Sequence, residues 1–223
     1  MKDILKVSNV SYRYSDAAKD EYVLKNINLN FELGKSYAIK GKSGSGKTTL
    51  LSLISGLETK YEGGILYNEK NLKKMDLDKY RNSDIGIVFQ SYNLLPQYTA
   101  EENIILSMDI SNIKNVDKKK KTKELMKQVG LDESLAKRRV LKLSGGEQQR
   151  IAIARSLSYN PKIIIADEPT GNLDKETEGE ILNIFNKLAH DDNKCVIIVT
   201  HSPNVCNMVD QVYDLKNINE SIN

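Results

Sequence analysis

Apolar residues follow two rhythms along this chain, and the change from one to the other marks out the architecture. Ile27, Leu29 and Phe31 alternate with Asn28 and Asn30, the pattern of a strand with one buried face. Gly34 marks a turn before a second run from Ser36 to Lys40, and residues 1–40 read as short strands with a loop from Ser15 to Glu21 between them. Leu50, Leu51, Ile54 and Leu57 then recur at helical spacing, with Gly56 near the end of the helix they predict. Gly63-Gly64 opens another strand region, which leads to Ile85-Gly86-Ile87-Val88-Phe89. From Ser91 to about Tyr159 the pattern is helical, including a helix from Asp117 to Val129 with Leu125, Met126 and Val129 as its stripe. Two β-branched runs, Ile163 to Ala166 and Val196 to Thr200, flank a helix from about Lys175 to Ala189 that puts Ile181, Ile184, Phe185 and Leu188 on one face. Short apolar runs without alternation suit strands buried on both faces of a parallel sheet. The pattern therefore predicts an α/β core interrupted by a helical insertion.

Composition narrows the class. The chain has 223 residues, 39% of them hydrophobic, enough for one large or two small domains with a sizeable core. No stretch approaches the roughly 20 apolar residues of a membrane helix. The start, Met1 to Lys6, lacks a signal-peptide run, so a cytosolic location is expected. Cys195 and Cys206 have no metal spacing around them and read as two reduced thiols. Net charge is only +3, from 33 basic and 30 acidic residues, which argues against nucleic acid as a partner. Lys118 to Lys121 form the densest basic run, at the start of a helix, and read as a solvated face.

The candidate chemistry lies in three places. Gly41-Lys42-Ser43-Gly44-Ser45-Gly46-Lys47-Thr48 fits the phosphate-loop pattern G-x-x-x-x-G-K-[ST], between a strand and a helix. Its glycines let backbone N–H groups face a polyphosphate, Lys47 adds a cation and Thr48 a hydroxyl for Mg²⁺, while the following helix aims its positive end at the same anion. Ser144-Gly145-Gly146-Glu147 is a capping box whose two glycines open a helix start to an anion. The helical insertion separates it from Lys47, so a pairing of two chains would bring Ser144 of one onto phosphates held by the other. Asp167 and Glu168 follow the apolar strand Ile163 to Ala166; alternation points them in different directions, one toward Mg²⁺ and one toward an attacking water. His201 follows the next strand in the same way.

These residues together resemble the ATP-binding subunit of an ABC transporter, over nearly the whole chain. The resemblance implies a single ATP-binding cassette over residues 1–223: a phosphate-loop NTPase with a RecA-like core (about 1–90 and 160–223), an antiparallel β subdomain and a helical subdomain (about 91–159). It implies nucleotide contacts from Tyr14, Gly41, Ser43, Gly44, Ser45, Gly46, Lys47, Thr48 and Thr49. It implies Mg²⁺ contacts from Thr48, Gln90 and Asp167, and catalytic roles for the base Glu168, for His201 and for Gln90. Ser144, Gly145, Gly146 and Glu147 would act in trans on the partner's ATP, and Asn172-Leu173-Asp174 would cross the dimer seam. Tyr14 would stack on adenine, with Tyr12 as its rival because both alternate onto one strand face. Tyr92 to Tyr98 would receive the membrane subunit through exposed apolar residues beside Gln90, with Leu94 or Leu95 alternatively part of the core.

The finer resemblance is to exporters of the lipoprotein-release, macrolide-export and antimicrobial-peptide type, on Phe89-Gln90-Ser91-Tyr92-Asn93-Leu94-Leu95-Pro96 and Asp167-Glu168-Pro169-Thr170-Gly171-Asn172-Leu173-Asp174. By it, two copies close around two Mg-ATP and drive a transmembrane permease that exports or extracts a peptide, lipid or drug-like substrate, with the chain bound to the inner face of the membrane through that permease. The alternative from another class is a cassette that passes a mechanical signal to a membrane partner, as in cell division. Lys40 departs from the family, which has an apolar residue there. The sequence runs 22 residues past His201, so no added regulatory domain is expected.

Overall fold

The computed structural model describes residues 3–14 and 21–215. The loop read at Ser15 to Glu21 lies, apart from Glu21, outside the described residues, as do Met1, Lys2 and residues 216–223. Two sheets form the frame. The first is antiparallel and runs β2 (Leu24–Glu32), β1 (Asp3–Tyr12), β4 (Glu62–Tyr67), β5 (Lys70–Asn71). The alternation in β2 buries Ile27, Leu29 and Phe31 on one face, as expected. β1 is a ten-residue strand, longer than the short strands read there, and breaks in its register bend it between its two neighbours.

The second sheet is parallel throughout, in the order β6 (Ile85–Val88), β7 (Ile163–Asp167), β8 (Cys195–Thr200), β3 (Lys35–Lys40), β9 (Gln211–Asp214). Its central strands are buried on both faces. Ile39, Ile163, Ile165, Ile197 and Val199 turn toward the antiparallel sheet and α1 (Lys47–Ile54); Ile164, Ala166, Val196 and Ile198 turn toward α6 (Lys175–His190) and the helical insertion. Each such Ile or Val contributes about 1.5–3 kcal/mol relative to leaving it in water.

Within the insertion, α3 (Ala100–Ile110), α4 (Lys118–Gln128) and α5 (Gly145–Leu157) pack on one another. Asp117 caps α4, and Leu125, Met126 and Val129 are buried as read. Among the described residues no helix is long and apolar enough to cross a membrane.

The structure departs from the sequence reading at several points. A helix, α2 (Leu77–Ser83), capped by Asp76, sits where the pattern suggested strand, and α7 (Pro203–Met208) lies beyond His201. Residues 91–99 contain no helix; the first helix of the insertion starts at Ala100, where Thr99 and Glu102 close a capping box. α1 ends at Ile54, so Leu57 falls outside its stripe and is 58% exposed. Phe89 lies one residue beyond β6.

Candidate functional site

The parallel strands deliver the candidate residues to one edge. Gly41 follows the carboxyl end of β3, Gln90 lies two residues past β6, Asp167 ends β7, and His201 follows β8. Open parallel sheets bind ligands at this edge because strand ends there present loops and helix starts together. A cleft of roughly 780 Å³ results, lined by Tyr14, Val23, Lys42, Ser43, Gly44, Gly46, Lys47, Thr48, Thr49, Gln90, Asp167, Glu168 and His201. Gly41 is buried under the loop and Ser45 is half-buried, its hydroxyl without a partner, so both shape the cradle.

Gly46 shows why the loop needs glycine. It has φ +89°, and a Cβ there would lie 2.8 Å from Leu24 Cδ2 and 3.1 Å from the Val23 carbonyl. Lys47, 8% exposed, donates from Nζ to the carbonyls of Gly41 (2.7 Å) and Lys42 (2.9 Å). Its ammonium is thus held inside the curve of the loop, where an anion would meet it.

Thr48 Oγ1 donates to Asp167 Oδ2 at 3.4 Å, which joins two of the three residues read as Mg²⁺ contacts. Burial, then the neighbouring Glu168 charge, pushes the Asp167 carboxyl above its usual range, against the pull of Thr48 and Lys47. Among the described residues no group of three or more His, Cys, Asp or Glu could hold a metal by itself. A hydroxyl and one carboxylate fit Mg²⁺, which takes oxygen ligands and is held by few protein groups plus nucleotide phosphates.

Glu168 diverges from Asp167 for a reason other than strand alternation. β7 ends at Asp167, and Glu168 adopts φ +45°, its N–H donating to the Val199 carbonyl at 2.9 Å. This left-handed turn swings the carboxylate toward His201, whose Nδ1 lies 2.8 Å from Oε1 and whose main-chain N–H donates to Oε2 at 3.4 Å. A non-glycine residue at positive φ is strained and is held there by its surroundings.

The two tyrosines separate clearly. Tyr12 ends β1, is 7% exposed and belongs to the core. Tyr14 lies beyond the strand, is 49% exposed, and packs edge-on against Tyr12 with ring centres 5.3 Å apart, its hydroxyl 3.0 Å from Thr49 Oγ1. Only Tyr14 of the two lines the cleft. Val23, brought beside it by the Val23 N–H to Tyr12 carbonyl bond (2.9 Å), had no signal in the sequence.

The second candidate anion grip stands apart. Ser144 caps α5 and the box is closed from both sides: Glu147 N–H to Ser144 Oγ at 3.2 Å, Ser144 N–H to Glu147 Oε2 at 2.7 Å. Its hollow is lined by Ser144, Gly145, Gly146, Glu147, Arg150, Asn172, Leu173, Asp174, Thr177 and Glu180, and it shares no residue with the first cleft. Asp174 caps α6 through Thr177, whose N–H and Oγ1 both donate to it at 2.9 Å, and those bonds hold its carboxyl below the usual range. Gly146 is required by packing as well: a Cβ there would lie 2.7 Å from Thr177 Cγ2. Thr177 and Arg150, which donates to the Val129 carbonyl and Glu180 (both 2.6 Å), were not singled out from the sequence.

The segment from Tyr92 to Tyr98 is less open than expected. Tyr92 and Leu94 pack against the core of the insertion, Leu95 is half-buried and bonded through its backbone to the Asn103 side chain, and Tyr98 is 36% exposed. Lys40 is exposed at the end of β3, in register with Thr200 and Asp214, so it faces away from the core. Cys195 is buried and Cys206 half-buried, both as free thiols.

Comparison with known proteins gives a consistent set of relatives. The ABC transporter family profile matches residues 24–171. YclH of Bacillus subtilis (strain 168), an uncharacterised ABC transporter ATP-binding protein, is 44% identical over 207 residues, 93% of this chain and 91% of the relative. The ABC transporter ATP-binding protein MJ0796 of Methanocaldococcus jannaschii is 40% identical over 221 residues, 96% of this chain and 93% of the relative. A dimeric, post-hydrolysis structure of the MJ0796 cassette bound to ADP and Pi superimposes with a TM-score of 0.84 at 38% identity, over 93% of this chain and 92% of that one. The lipoprotein-releasing system ATP-binding protein LolD of Saccharophagus degradans is 38% identical over 216 residues, 96% of this chain and 94% of the relative.

Proposed function

Because this chain belongs to the ABC transporter family as an ATP-binding subunit, we propose that it closes as a pair around two Mg-ATP and hydrolyses them to drive an export or extraction permease from the cytoplasmic face of the membrane. The observation that carries this reading is the separation of the two anion grips on one chain: the cleft around Lys47 and the helix start at Ser144 share no lining residue. Two copies related by a two-fold axis would each supply what the other lacks. The dimeric MJ0796 cassette with ADP and Pi, and the likeness to LolD, support the pairing and the exporter type.

The residues take roles in this reading as follows. Lys47 and the loop N–H groups hold the β- and γ-phosphates, and Tyr14 carries the adenine. Thr48, Asp167 and Gln90 would hold Mg²⁺, which would neutralise charge on the phosphates. Glu168 accepts the proton of the attacking water, and His201, 2.8 Å from its carboxylate, orients it. Catalysis then comes mainly from positioning and charge stabilisation. Residues 1–223 form a single cassette, with a core at about 1–90 and 160–223 and a helical subdomain at about 91–159; the packing of α3, α4 and α5 on one another supports that division.

The test is the dependence of ATPase rate on protein concentration. A composite site predicts a rate per chain that rises with concentration and then saturates. A rate per chain independent of concentration, down to where the protein is monomeric, would refute the pairing.

A further inference from the structure

We propose that Arg155 is a positioning residue: it fastens the turn that follows Gln90 to the helix that begins at Ser144, so that the two move as one body. The inference rests on the reading of Ser144 to Gly146 as a grip on the partner's nucleotide.

Tyr92 is held at both of its ends by α5. At the start of the helix, its hydroxyl packs against the backbone, 3.0 Å from where a Cβ on Gly145 would be. Near the end of the helix, the Arg155 guanidinium donates Nη2 to the Tyr92 carbonyl at 2.9 Å and Nη1 to the Asn93 carbonyl. Ten helical residues span about 15 Å, and two long side chains, Tyr92 and Arg155, bridge that length.

The two carbonyls belong to an unusual pair. Tyr92 has φ +60° and Asn93 φ +50°, two successive left-handed residues without a glycine. Such a turn persists only where its surroundings fix it. The Arg155 fork reaches both residues at once, and among the described residues no carboxylate lies within ion-pair distance of it. Both of its terminal nitrogens donate to the turn. Tyr159, just past α5, donates its hydroxyl to the Ile85 carbonyl at 2.9 Å, so the residues that follow the helix also grip the start of β6. Gln90 sits between these anchors, two residues before Tyr92. A displacement of the turn therefore reaches Ser144 through a rigid helix rather than through a loop.

The test uses the full chain with Arg155→Lys, which keeps the charge but loses the planar fork. Hydrogen exchange should quicken together in residues 90–95 and 144–149. The kcat of ATP hydrolysis should fall by about tenfold to a hundredfold, the scale of a small misplacement at a reacting site, while ATP affinity stays within about twofold because the Lys47 cleft is untouched. Adding Asn93→Gly, which relaxes the positive φ but makes no new bond to the helix, should leave kcat low. Faster exchange confined to residues 90–95, a kcat loss matched by lost ATP affinity, or full recovery with Asn93→Gly would overturn the proposal. Exchange is read without hydrolysis, so an unaltered chain lacking ATPase activity would count against the functional reading while the exchange comparison still decides the clamp.

Discussion

The two helix starts that could face a phosphate, at Lys47 and at Ser144, are built on opposite principles. The first carries its own cations: Lys42 and Lys47 line the cleft opposite Asp167 and Glu168. The second is acidic, with Glu147, Asp174 and Glu180 against the single cation Arg150, itself bound to Glu180. Its capping box commits the Ser144 N–H and the Glu147 N–H to each other's side chains, so the first-turn donors of Gly145 and Gly146 are what remains for a ligand. A site of this charge is expected to repel a free polyphosphate. It suits one whose charge has already been met by a lysine and a metal on another chain. On the proposed reading, Lys47 would set affinity and Ser144 would set assembly.

Lys47→Ala should give the largest effect and fall on one side of that contrast. Removing one partner of a buried charge contact costs about 2–5 kcal/mol, so Mg-ATP affinity should drop by roughly thirtyfold or more in an equilibrium titration. Unchanged affinity would end the assignment of the cleft.

Tyr14→Ala should weaken ATP by about 1–3 kcal/mol, the value of one base stacked on an aromatic. Tyr12→Ala should instead lower thermal stability by about 3 kcal/mol as a core truncation, with little direct effect on ATP contacts. A reversal of the two, measured by nucleotide titration beside thermal melts, would place the wrong ring on the base.

Gly146→Ala sharpens the comparison from the other side. The added methyl meets Thr177 Cγ2, an overpacking worth about 1–3 kcal/mol. Turnover should fall while ATP affinity of the single chain holds. Thr177→Ser, which removes that methyl, should restore turnover in the double variant, measured as steady-state ATPase.

The smallest effect concerns Asp167. Its carboxyl is raised in the folded chain, chiefly by burial, so the folded state binds the proton more tightly than the unfolded one, and stability falls as pH rises through the folded value. Asp167→Asn removes that penalty. Without nucleotide or Mg²⁺ it should melt slightly higher at pH 7, on the order of 2 °C, and the gain should vanish below about pH 4, the ordinary aspartate value.

Much of this was legible in the sequence, for reasons that can be named. The phosphate loop and the capping box are local: their chemistry is complete within eight and four residues, so spacing alone exposes them. The double-faced burial of β7 and β8 was written in unbroken Ile and Val runs. Contacts that depend on tertiary pairing were not. Val23 reaches the cleft only through the pairing of β1 and β2, and Thr177 meets Gly146 only because α5 and α6 cross there. The exposure of Leu57 followed from where α1 stops, one turn before the apolar spacing does. The divergence of Glu168 from Asp167 came from a left-handed residue, a conformation that a glutamate does not announce.

The central claim, that each nucleotide is completed by a second copy, is tested most directly by trapping the pair. Glu168→Gln keeps the size of the base but cannot take the water's proton, so bound ATP should persist and hold two chains together. Size-exclusion chromatography in Mg-ATP should show a stable dimer for Glu168→Gln and a monomer when Ser144→Arg is added, with ATP binding by the monomer intact. A Glu168→Gln chain that stays monomeric at high concentration, or a dimer indifferent to Ser144→Arg, would contradict it.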